Sequence, residues 1–436
     1  MSGKECFNVL EKIFKPKKQE KIEDIKGYTI KYGNIVENEE IVDEVLVSYF
    51  KAPRSYTTEN MCEINTHGGN IVVKKILELC LKNGAELAEP GEFTKRAFLN
   101  GRIDLLQAES VIDVINSKSE RELKTGIKQL EGILSKKIKE IKQEIMDVMV
   151  NVDVSIDYPE YDVEEVTDNQ VLNMLNSVQE KLEKLEKSFD NGKIIKEGIK
   201  TAIIGKPNAG KSSLLNAILK EDRAIVTEYE GTTRDTIEEF VNIEGVPLKL
   251  VDTAGIRDAK DEVEKIGIAK SKEIAKEADL IIAIFDSSKE LTAEDKEILD
   301  IIKNKKSIIL LNKSDLNCIL KENDERFINI SDNILKISAL EGNGLEELYE
   351  LIAKMFSLNE INLDNDVIIT NIRHKNLISK AIENVKEARK TIEENMPVDI
   401  VAIFIKNILE DLGNITGEFV TDDIINEIFS KFCLGK

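Results

Sequence analysis

A glycine-rich loop between an apolar run and a helical pattern is the feature that most constrains this 436-residue chain. The loop reads Gly-Lys-Pro-Asn-Ala-Gly-Lys-Ser over residues 205–212. The apolar run 199–204 before it predicts a buried strand, and residues 212–219 predict the start of a helix. Glycines let the backbone approach phosphates, and the N–H groups at a helix N-terminus attract anions. The loop therefore predicts an α/β domain that binds a nucleoside polyphosphate.

Three further motifs follow in the order expected of a guanine-nucleotide site. An Asp-Thr-Ala-Gly element follows the apolar run 248–251, and an Asn-Lys-Ser-Asp element follows the run 308–311. A Ser-Ala pair at residues 338–339 follows another apolar strand and would supply backbone contacts to the base. Asp315 can accept hydrogen bonds from the ring N–H and the exocyclic amine of guanine, a pair of donors that adenine lacks. We expect the nucleotide to contact Asn208, Ala209, Gly210, Lys211, Ser212, Ser213, Thr233, Asp252, Thr253, Ala254, Gly255, Asn312, Lys313, Asp315, Ser338 and Ala339.

Two hydroxyl groups are placed to bind Mg²⁺. Ser212 follows the loop lysine, and Thr233 lies in a Gly-Thr-Thr segment between the loop and the aspartate element. Thr233 would reach the metal when the γ-phosphate is present, which makes residues 225–235 the expected first switch and residues 255–267 the second. Asp252, at the end of its strand, would hold the water shell of the metal.

The position that often carries a water-orienting glutamine holds Ile256, which has no donor or acceptor. Three side chains remain candidates for assisting hydrolysis. Asn208 could help to hold a monovalent cation against the phosphates, Arg234 could act as an arginine finger in cis, and Glu264 could orient the water. The plain alternatives are a turn-forming asparagine, a surface arginine and an exposed helical glutamate, and the residues alone leave them open.

Composition limits the remaining possibilities. The net charge of −21 argues against a broad electrostatic grip on nucleic acid, although a basic run occurs at residues 15–21. No apolar run approaches the ~18 residues of a membrane span. The five cysteines are scattered without metal-ligand or disulfide spacing, so we expect a reducing cytosol.

Periodicity predicts a multidomain chain. Residues 1–100 alternate as an α+β region, with strands at 28–36, 41–50 and 61–65 and a helix at 71–82. Residues 101–196 and 358–436 have long amphipathic helical patterns, and the nucleotide domain spans 197–357. We expect one discontinuous helical domain interrupted by the nucleotide domain, with two separate helical modules as the alternative.

The chain ends Phe-Cys-Leu-Gly-Lys, and its cysteine has two interpretations. Cys433 could be a nucleophile or redox group on a terminal tail, or an ordinary buried cysteine. The residues alone do not decide between them.

The chain resembles the MnmE (TrmE) family of tRNA-modification GTPases. The motifs that carry the resemblance are G-K-P-N-A-G-K-S, E-G-T-T-R-D, D-T-A-G-I-R, C-E-I-N-T-H-G-G, P-G-E-F-T-K-R-A-F-L-N-G-R-I-D-L and the terminal F-C-L-G-K. The resemblance covers nearly the whole chain and implies an N-terminal folate-binding and dimerisation domain, a helical domain and an inserted P-loop GTPase domain. It also implies a homodimer that forms a heterotetramer with the FAD-dependent protein MnmG.

The resemblance further implies a chemistry. The two proteins together place a carboxymethylaminomethyl-type group on carbon 5 of the wobble uridine of tRNA, with 5,10-methylene- or 5-formyl-tetrahydrofolate as the one-carbon source. Glu63, Arg102 and Lys436 would contact the folate, and Cys433 would take part in the modification. A carboxylate such as Glu63 suits the amino and ring N–H groups of a pterin.

The family's potassium site would consist of Asn208, Thr227, Tyr229 and Thr232, and Thr227 and Thr232 would also lie at the nucleotide. Glu264 matches the family's water-orienting glutamate. The family opens with a strand and a glycine-rich turn that precede this chain's Met1, so we expect that strand and its folate-binding arginine to be missing. A ribosome-assembly GTPase is the rival interpretation, and it does not account for the His-Gly-Gly and Cys-x-Gly-Lys elements.

Overall fold

A computed structural model describes residues 1–18, 25–157, 164–220, 239–251, 273–356 and 367–435. The chain divides into two compact units. The first comprises Met1–Ile115, Lys128–Leu175 and Glu383–Lys436, and the second comprises Asn116–Ile127 and Asn176–Ile382. The architecture is multidomain, with an α+β N-terminal region, a set of long helices and an α/β nucleotide domain.

The first unit begins with a four-stranded antiparallel sheet. Its strands lie in the order β1 (Phe14–Pro16), β2 (Thr29–Glu37), β3 (Glu40–Phe50) and β4 (Met61–Asn65). The side chains of Val45, Val47 and Tyr49 alternate inward from β3 because successive strand residues point to opposite faces. Helices α1 (Cys6–Ile13) and α2 (Asn70–Lys82) provide further residues of this core.

Five further helices that the structure describes in the first unit are amphipathic. They are α3 (Glu92–Leu99), α4 (Leu105–Ile115), α6 (Ile133–Asp157), α13 (Val398–Thr416) and α14 (Asp422–Ser430). Helix α13 packs against α6 and α4. The side chains of Ile138, Ile141 and Ile145 recur at three- and four-residue steps along α6 and are fully buried, which forms one apolar stripe. Residues of α5 (Glu120–Leu130), α7 (Glu164–Glu197) and α12 (Ile372–Glu393) fall in both units.

The second unit contains a six-stranded sheet in the order β10-β9-β8-β5-β7-β6. Its strands are β5 (Ile199–Gly205), β6 (Glu239–Ile243), β7 (Val246–Leu250), β8 (Leu280–Asp286), β9 (Ser307–Asn312) and β10 (Ile334–Lys336). All neighbours are parallel except β6 and β7. The described helices α8 (Lys211–Lys220), α9 (Ala293–Ile302), α10 (Glu325–Ile328) and α11 (Leu345–Phe356) accompany the sheet. The carboxyl ends of β5, β8 and β9 therefore meet at one edge.

The fold class expected from the sequence is confirmed, and the strands expected at 28–36, 41–50 and 61–65 match β2, β3 and β4 to within a residue at most ends. Within the basic run 15–21, Lys15 lies in β1 and is the register partner of Asn34 in β2. Helix α1 and strand β1 are short elements that the strand and helix patterns did not indicate. The domain boundaries remain a prediction.

Candidate functional sites

The phosphate loop joins β5 to α8 at the carboxyl edge of the six-stranded sheet. Its backbone takes left-handed conformations at Asn208 (φ 61°) and Gly210 (φ 107°). Gly205 lies so close to β8 that an added Cβ would be 2.6 Å from the carbonyl oxygen of Ile284. The loop thus has the compact backbone, followed directly by a helix N-terminus, that surrounds a phosphate group with N–H donors.

Asn312 ties three of the predicted motifs together. Its Nδ2 donates to the carbonyl of Ala209 over 2.8 Å, and its Oδ1 accepts from the amide of Ala339 over 3.0 Å. The Asn312 side chain is buried, and a Cβ on Gly210 would lie 2.0 Å from its Nδ2. The asparagine therefore fixes the phosphate loop against the segment expected to contact the base.

Lys211 places its ammonium inside the phosphate loop. Nζ donates to the carbonyl oxygens of Gly205 (2.6 Å) and Lys206 (2.8 Å). Burial lowers the pKa of the Lys211 ammonium, because the charged form loses solvation. A polyphosphate beside this group would compensate that loss with opposite charge.

A second loop lysine is anchored to α9. The ammonium of Lys206 lies 2.5 Å from the carboxylate of Asp295 and donates to the hydroxyl of Thr292 over 3.0 Å. The same Asp295 carboxylate accepts from the amide and the hydroxyl of Thr292 in the capping box of α9. An ion pair thereby joins the start of the loop to α9, a helix whose N-terminus is capped by its own residues.

The base-recognition motif lies just beyond β9. The Asp315 side chain is exposed, and its Oδ1 accepts from the hydroxyl of Ser338 over 2.7 Å. The Lys313 ammonium lies 2.7 Å from the Oδ2 of Asp286. Burial alone raises the pKa of the Asp286 carboxyl, but the hydrogen bonds from Lys313 and Ser288 outweigh it, so that pKa lies below its usual value. Lys313, two residues before the carboxylate expected to select guanine, is thus held by an ion pair with Asp286.

Ten predicted site residues lie outside the described part of the chain. They are Thr227, Tyr229, Thr232, Thr233, Asp252, Thr253, Ala254, Gly255, Glu264 and Lys436, and Arg234 and Ile256 lie outside it too. The described candidates Asn208, Ser212 and Ser213 have exposed side chains at the mouth of the loop. Among the residues that the structure describes, no group of three or more acidic, histidine or cysteine side chains is arranged to hold a metal ion.

A second candidate site occurs in the first unit. The Arg102 guanidinium lies over the ring of Tyr56, 4.6 Å from its centroid, and donates to the Tyr56 carbonyl over 3.1 Å. The Tyr56 hydroxyl lies 3.0 Å from that of Thr94 in α3. The exposed Arg102 is therefore oriented by an aromatic face, a common arrangement for a guanidinium that binds an anion.

The C-terminal tail docks onto the same unit. The Gly91 amide donates to the carbonyl of Cys433 over 3.3 Å. The buried Phe432 packs with Phe429, and a Cβ on Gly91 would lie 2.9 Å from that of Phe432. Because Cys433 itself is exposed, the interpretation of an ordinary buried cysteine is wrong. Glu63, also exposed, lies on β4 and has no described hydrogen bond to Arg102 or Cys433.

Sequence patterns missed three contributors to these sites. Asp286 ends the apolar run 280–285, and that strand-end position was a usable signal. The contact between Lys206 and Asp295 joins residues that are far apart in the chain and share no motif. The Gly91–Phe432 contact depends on the docking of chain segments that no local pattern relates.

None of the helices that the structure describes is both long and apolar enough to cross a lipid bilayer.

Two family models cover most of the chain. "GTP-binding protein TrmE N-terminus" matches residues 1–102, and "MnmE helical domain" matches residues 105–433.

Similar proteins agree with the family models. The chain is 49% identical to a tRNA modification GTPase MnmE of Acetivibrio thermocellus and 50% identical to one of Clostridioides difficile, over 100% of this chain and 95% of each relative. The match to the protein of that name from Finegoldia magna is 49% over the same shares.

A solved structure of Era from Aquifex aeolicus, bound to GDP and AlF4⁻, is 28% identical and covers 43% of this chain and 66% of that chain. Its TM-score of 0.27 is too low to support a structural argument. The family models and the full-length relatives agree with the nucleotide site described above. The chain therefore belongs to the MnmE (TrmE) family of tRNA-modification GTPases.

Proposed function

We propose that this GTPase modifies tRNA together with an FAD-dependent protein of the MnmG type. The product would carry a carboxymethylaminomethyl-type group on carbon 5 of the wobble uridine. The curated relatives named tRNA modification GTPase match the entire chain, which supports a role in the same process. The docking of the Cys433 segment beside α3, in the unit that also holds Arg102, is the structural observation that carries the proposal.

The nucleotide half of the proposal assigns each group a task. Lys211 and the N–H groups at the start of α8 neutralise the phosphates, while Asp315 selects guanine. The hydroxyls of Ser212 and Thr233 bind Mg²⁺, with Asp252 behind its water shell. The exposed Ser212 in the first turn of α8 suits this task, because it lies directly after the phosphate-binding lysine.

Potassium would supply the positive charge that an arginine finger provides in other GTPases. Asn208 would provide a side-chain oxygen, and Thr227, Tyr229 and Thr232 would complete the site. The left-handed backbone of Asn208 (φ 61°) supports this proposal, because it holds an exposed amide at the mouth of the loop. Glu264 would orient the attacking water.

The test of the potassium site compares GTP hydrolysis in KCl and NaCl for the wild type and Asn208→Ala. Equal rates of the wild type in both salts would refute the site.

A tetrahydrofolate derivative, methylene- or formyl-substituted, would donate the one-carbon unit in the first unit. The guanidinium of Arg102 suits a folate carboxylate or ring oxygen, and the exposed carboxylate of Glu63 suits the pterin amine and ring N–H. Lys436 would add a cation from the tail. The donor set therefore fits this ligand, and Cys433 would act in the modification chemistry near it.

We also propose a cytoplasmic homodimer that pairs with the partner protein into a heterotetramer. The outer face of the N-terminal sheet supports self-association, because five large side chains on it are exposed: Tyr28, Ile30, Tyr32, Ile41 and Leu46. Tyr32 and Leu46 are register partners on β2 and β3, so these two side chains are neighbours on this face.

Reconstitution tests the whole proposal. Purified chain, FAD-dependent partner, GTP, folate derivative and unmodified tRNA are combined, and digested nucleosides are analysed by mass spectrometry. We expect modified uridine with the wild type and none with Cys433→Ser. Cys318→Ser is the matched control, because Cys318 is the other exposed cysteine among those described. Normal GTP hydrolysis without modified uridine in the wild type would contradict the proposal.

A further inference from the structure

Asp286 occupies a position at the nucleotide site that none of the predicted motifs includes. It ends β8 and is the register partner of Asn312, which ends β9. The Ser287 amide donates to the carbonyl of Asn312 over 2.9 Å, so the two strand ends are fixed to each other. The Asp286 carboxylate therefore lies at the edge of the sheet where the loop and the base-recognition motif meet.

Both oxygens of the Asp286 carboxylate are engaged. Oδ1 accepts from the amide (3.1 Å) and the hydroxyl (2.6 Å) of Ser288, which fixes the orientation of the group. Oδ2 accepts from the Lys313 ammonium over 2.7 Å. The Asp286 side chain is 9% exposed and that of Lys313 is 29% exposed, so solvent screens this pair only in part.

Lys313 is itself held in an unusual backbone conformation. Its φ of 67° lies in the left-handed region, which a side chain with a Cβ seldom adopts. The next amide, that of Ser314, donates to the carbonyl of Ile337 over 3.0 Å and secures the turn. Lys313 precedes Asp315 by two positions, so its apolar four-carbon stem lies close in sequence to the base-selecting carboxylate.

We propose that Asp286 is a positioning residue for nucleotide binding, which pins the ammonium of Lys313 so that the lysine stem lies ready beside the guanine ring. Without this ion pair the lysine side chain would sample many rotamers, and nucleotide binding would have to order it at a cost in conformational entropy. Because the ion pair already orders the Lys313 side chain, the binding of GDP and of GTP avoids this entropic cost. Asp286 thus affects affinity for the base side of the ligand and leaves the hydrolytic step alone.

Asp286→Asn tests the proposal, because it retains the size of the side chain and an acceptor for Ser288 but removes the charge that holds Lys313. We expect the Kd for a fluorescent GDP analogue and the KM for GTP to rise about tenfold, mainly through faster dissociation. The kcat at saturating GTP should stay within about twofold of the wild type. Unchanged affinity, or a reduced kcat at unchanged KM, would overturn the proposal.

Lys289→Ala is the matched control. The Lys289 ammonium also faces the Asp286 carboxylate, but from 3.8 Å and with its side chain 71% exposed. Its removal leaves the pair of Asp286 and Lys313 intact, so we expect no change in nucleotide affinity. A loss equal to that of Asp286→Asn would mean that the carboxylate acts through general charge rather than through Lys313.

A double-mutant cycle separates positioning from a merely structural role. Lys313→Met keeps an apolar stem but removes the ammonium, so it should weaken GDP binding by itself. In that background Asp286→Asn should have no further effect on affinity. A persistent tenfold loss in the Lys313→Met background would show that Asp286 does not work through the lysine and would refute the proposal.

Discussion

The nucleotide site and the second candidate site of the first unit are built in opposite ways. The nucleotide site uses strand ends and loop backbone within one sheet edge, and the buried Asn312 joins its parts with two hydrogen bonds. The second site combines exposed side chains from distant chain segments, and the Cys433 tail is fixed to α3 through Gly91 and Phe432. The comparison teaches that one site is preorganised by its backbone, whereas the other depends on the docking of the tail.

The difference implies different responses to mutation. A change in the phosphate loop should remove binding itself, because the loop backbone supplies the donors. A change under the tail should move Cys433 while leaving GTP hydrolysis intact.

Gly210→Ala should have the largest effect. The new Cβ would lie 2.0 Å from the Nδ2 of Asn312, at a φ of 107° that alanine resists. Asn312 is buried and bonded on both sides, so it cannot move aside cheaply. We expect kcat/KM for GTP to fall about a thousandfold.

Gly342→Ala is the control for this steric argument. Gly342 also has a positive φ (83°), but a Cβ there would meet nothing within 4 Å. Its kcat/KM should remain within about threefold of the wild type. Equal losses in both variants would assign the effect to backbone strain alone and not to the contact with Asn312.

Phe432→Ala should release the tail. The ring is buried among Phe429 and the residues of α3 and α4, and its removal should weaken docking by about 3 kcal/mol. Faster reaction of Cys433 with a thiol reagent, at unchanged GTPase rate, is the expected result. Leu434→Ala is the control, because that side chain is 74% exposed. An unchanged thiol reaction rate in Phe432→Ala would contradict the docking account.

Asp315→Asn should change the choice of base. An amide presents a donor where guanine also presents one, so GTP affinity should fall about fiftyfold and affinity for xanthosine triphosphate should rise. Nucleotide competition by calorimetry measures both. The same variant should bind the folate derivative as the wild type does. A parallel loss of folate binding would break the separation of the two sites.

The smallest effect concerns pH. The pKa of the Asp286 carboxyl lies below its usual value in the folded chain. The contribution of its charge to GDP affinity is therefore fully present above the ordinary aspartate pKa, and it is lost only as pH falls through the lower folded value. The ratio of GDP affinities of the wild type and Asp286→Asn should therefore change less than about twofold between pH 8 and pH 5. A ratio that collapses near pH 6 would contradict a charged Asp286.

The nucleotide half of the fold could be predicted because its motifs are local. The strand and the helix on either side of the loop follow from residues adjacent to it. Both ends of β5 and the start of α8 lie within one residue of expectation. Asp286 was not predicted, because its strand-end position alone does not reveal its partner Lys313, which lies just beyond the next parallel strand. Strand β1 was missed because three residues that include a lysine and a proline carry almost no periodic signal.

The second site was predictable only as a set of separate residues. Family resemblance suggested Arg102 and Cys433, but the ring of Tyr56 beneath the guanidinium and the contact of Phe432 with Gly91 are products of tertiary packing. Hydrophobic periodicity says which face of a helix is buried but not which distant segment covers it. Cys433 is accordingly exposed because its neighbour Phe432, and not the cysteine, fills the core.

Calorimetric titration of 5-formyl-tetrahydrofolate into the full chain determines whether the first unit binds a ligand of its own in addition to GTP. We predict saturable binding by the wild type and by Asp315→Asn, and greatly weakened binding by Arg102→Ala with GTP affinity preserved. Absence of binding by the wild type, or equal binding by the wild type and Arg102→Ala, would contradict the account.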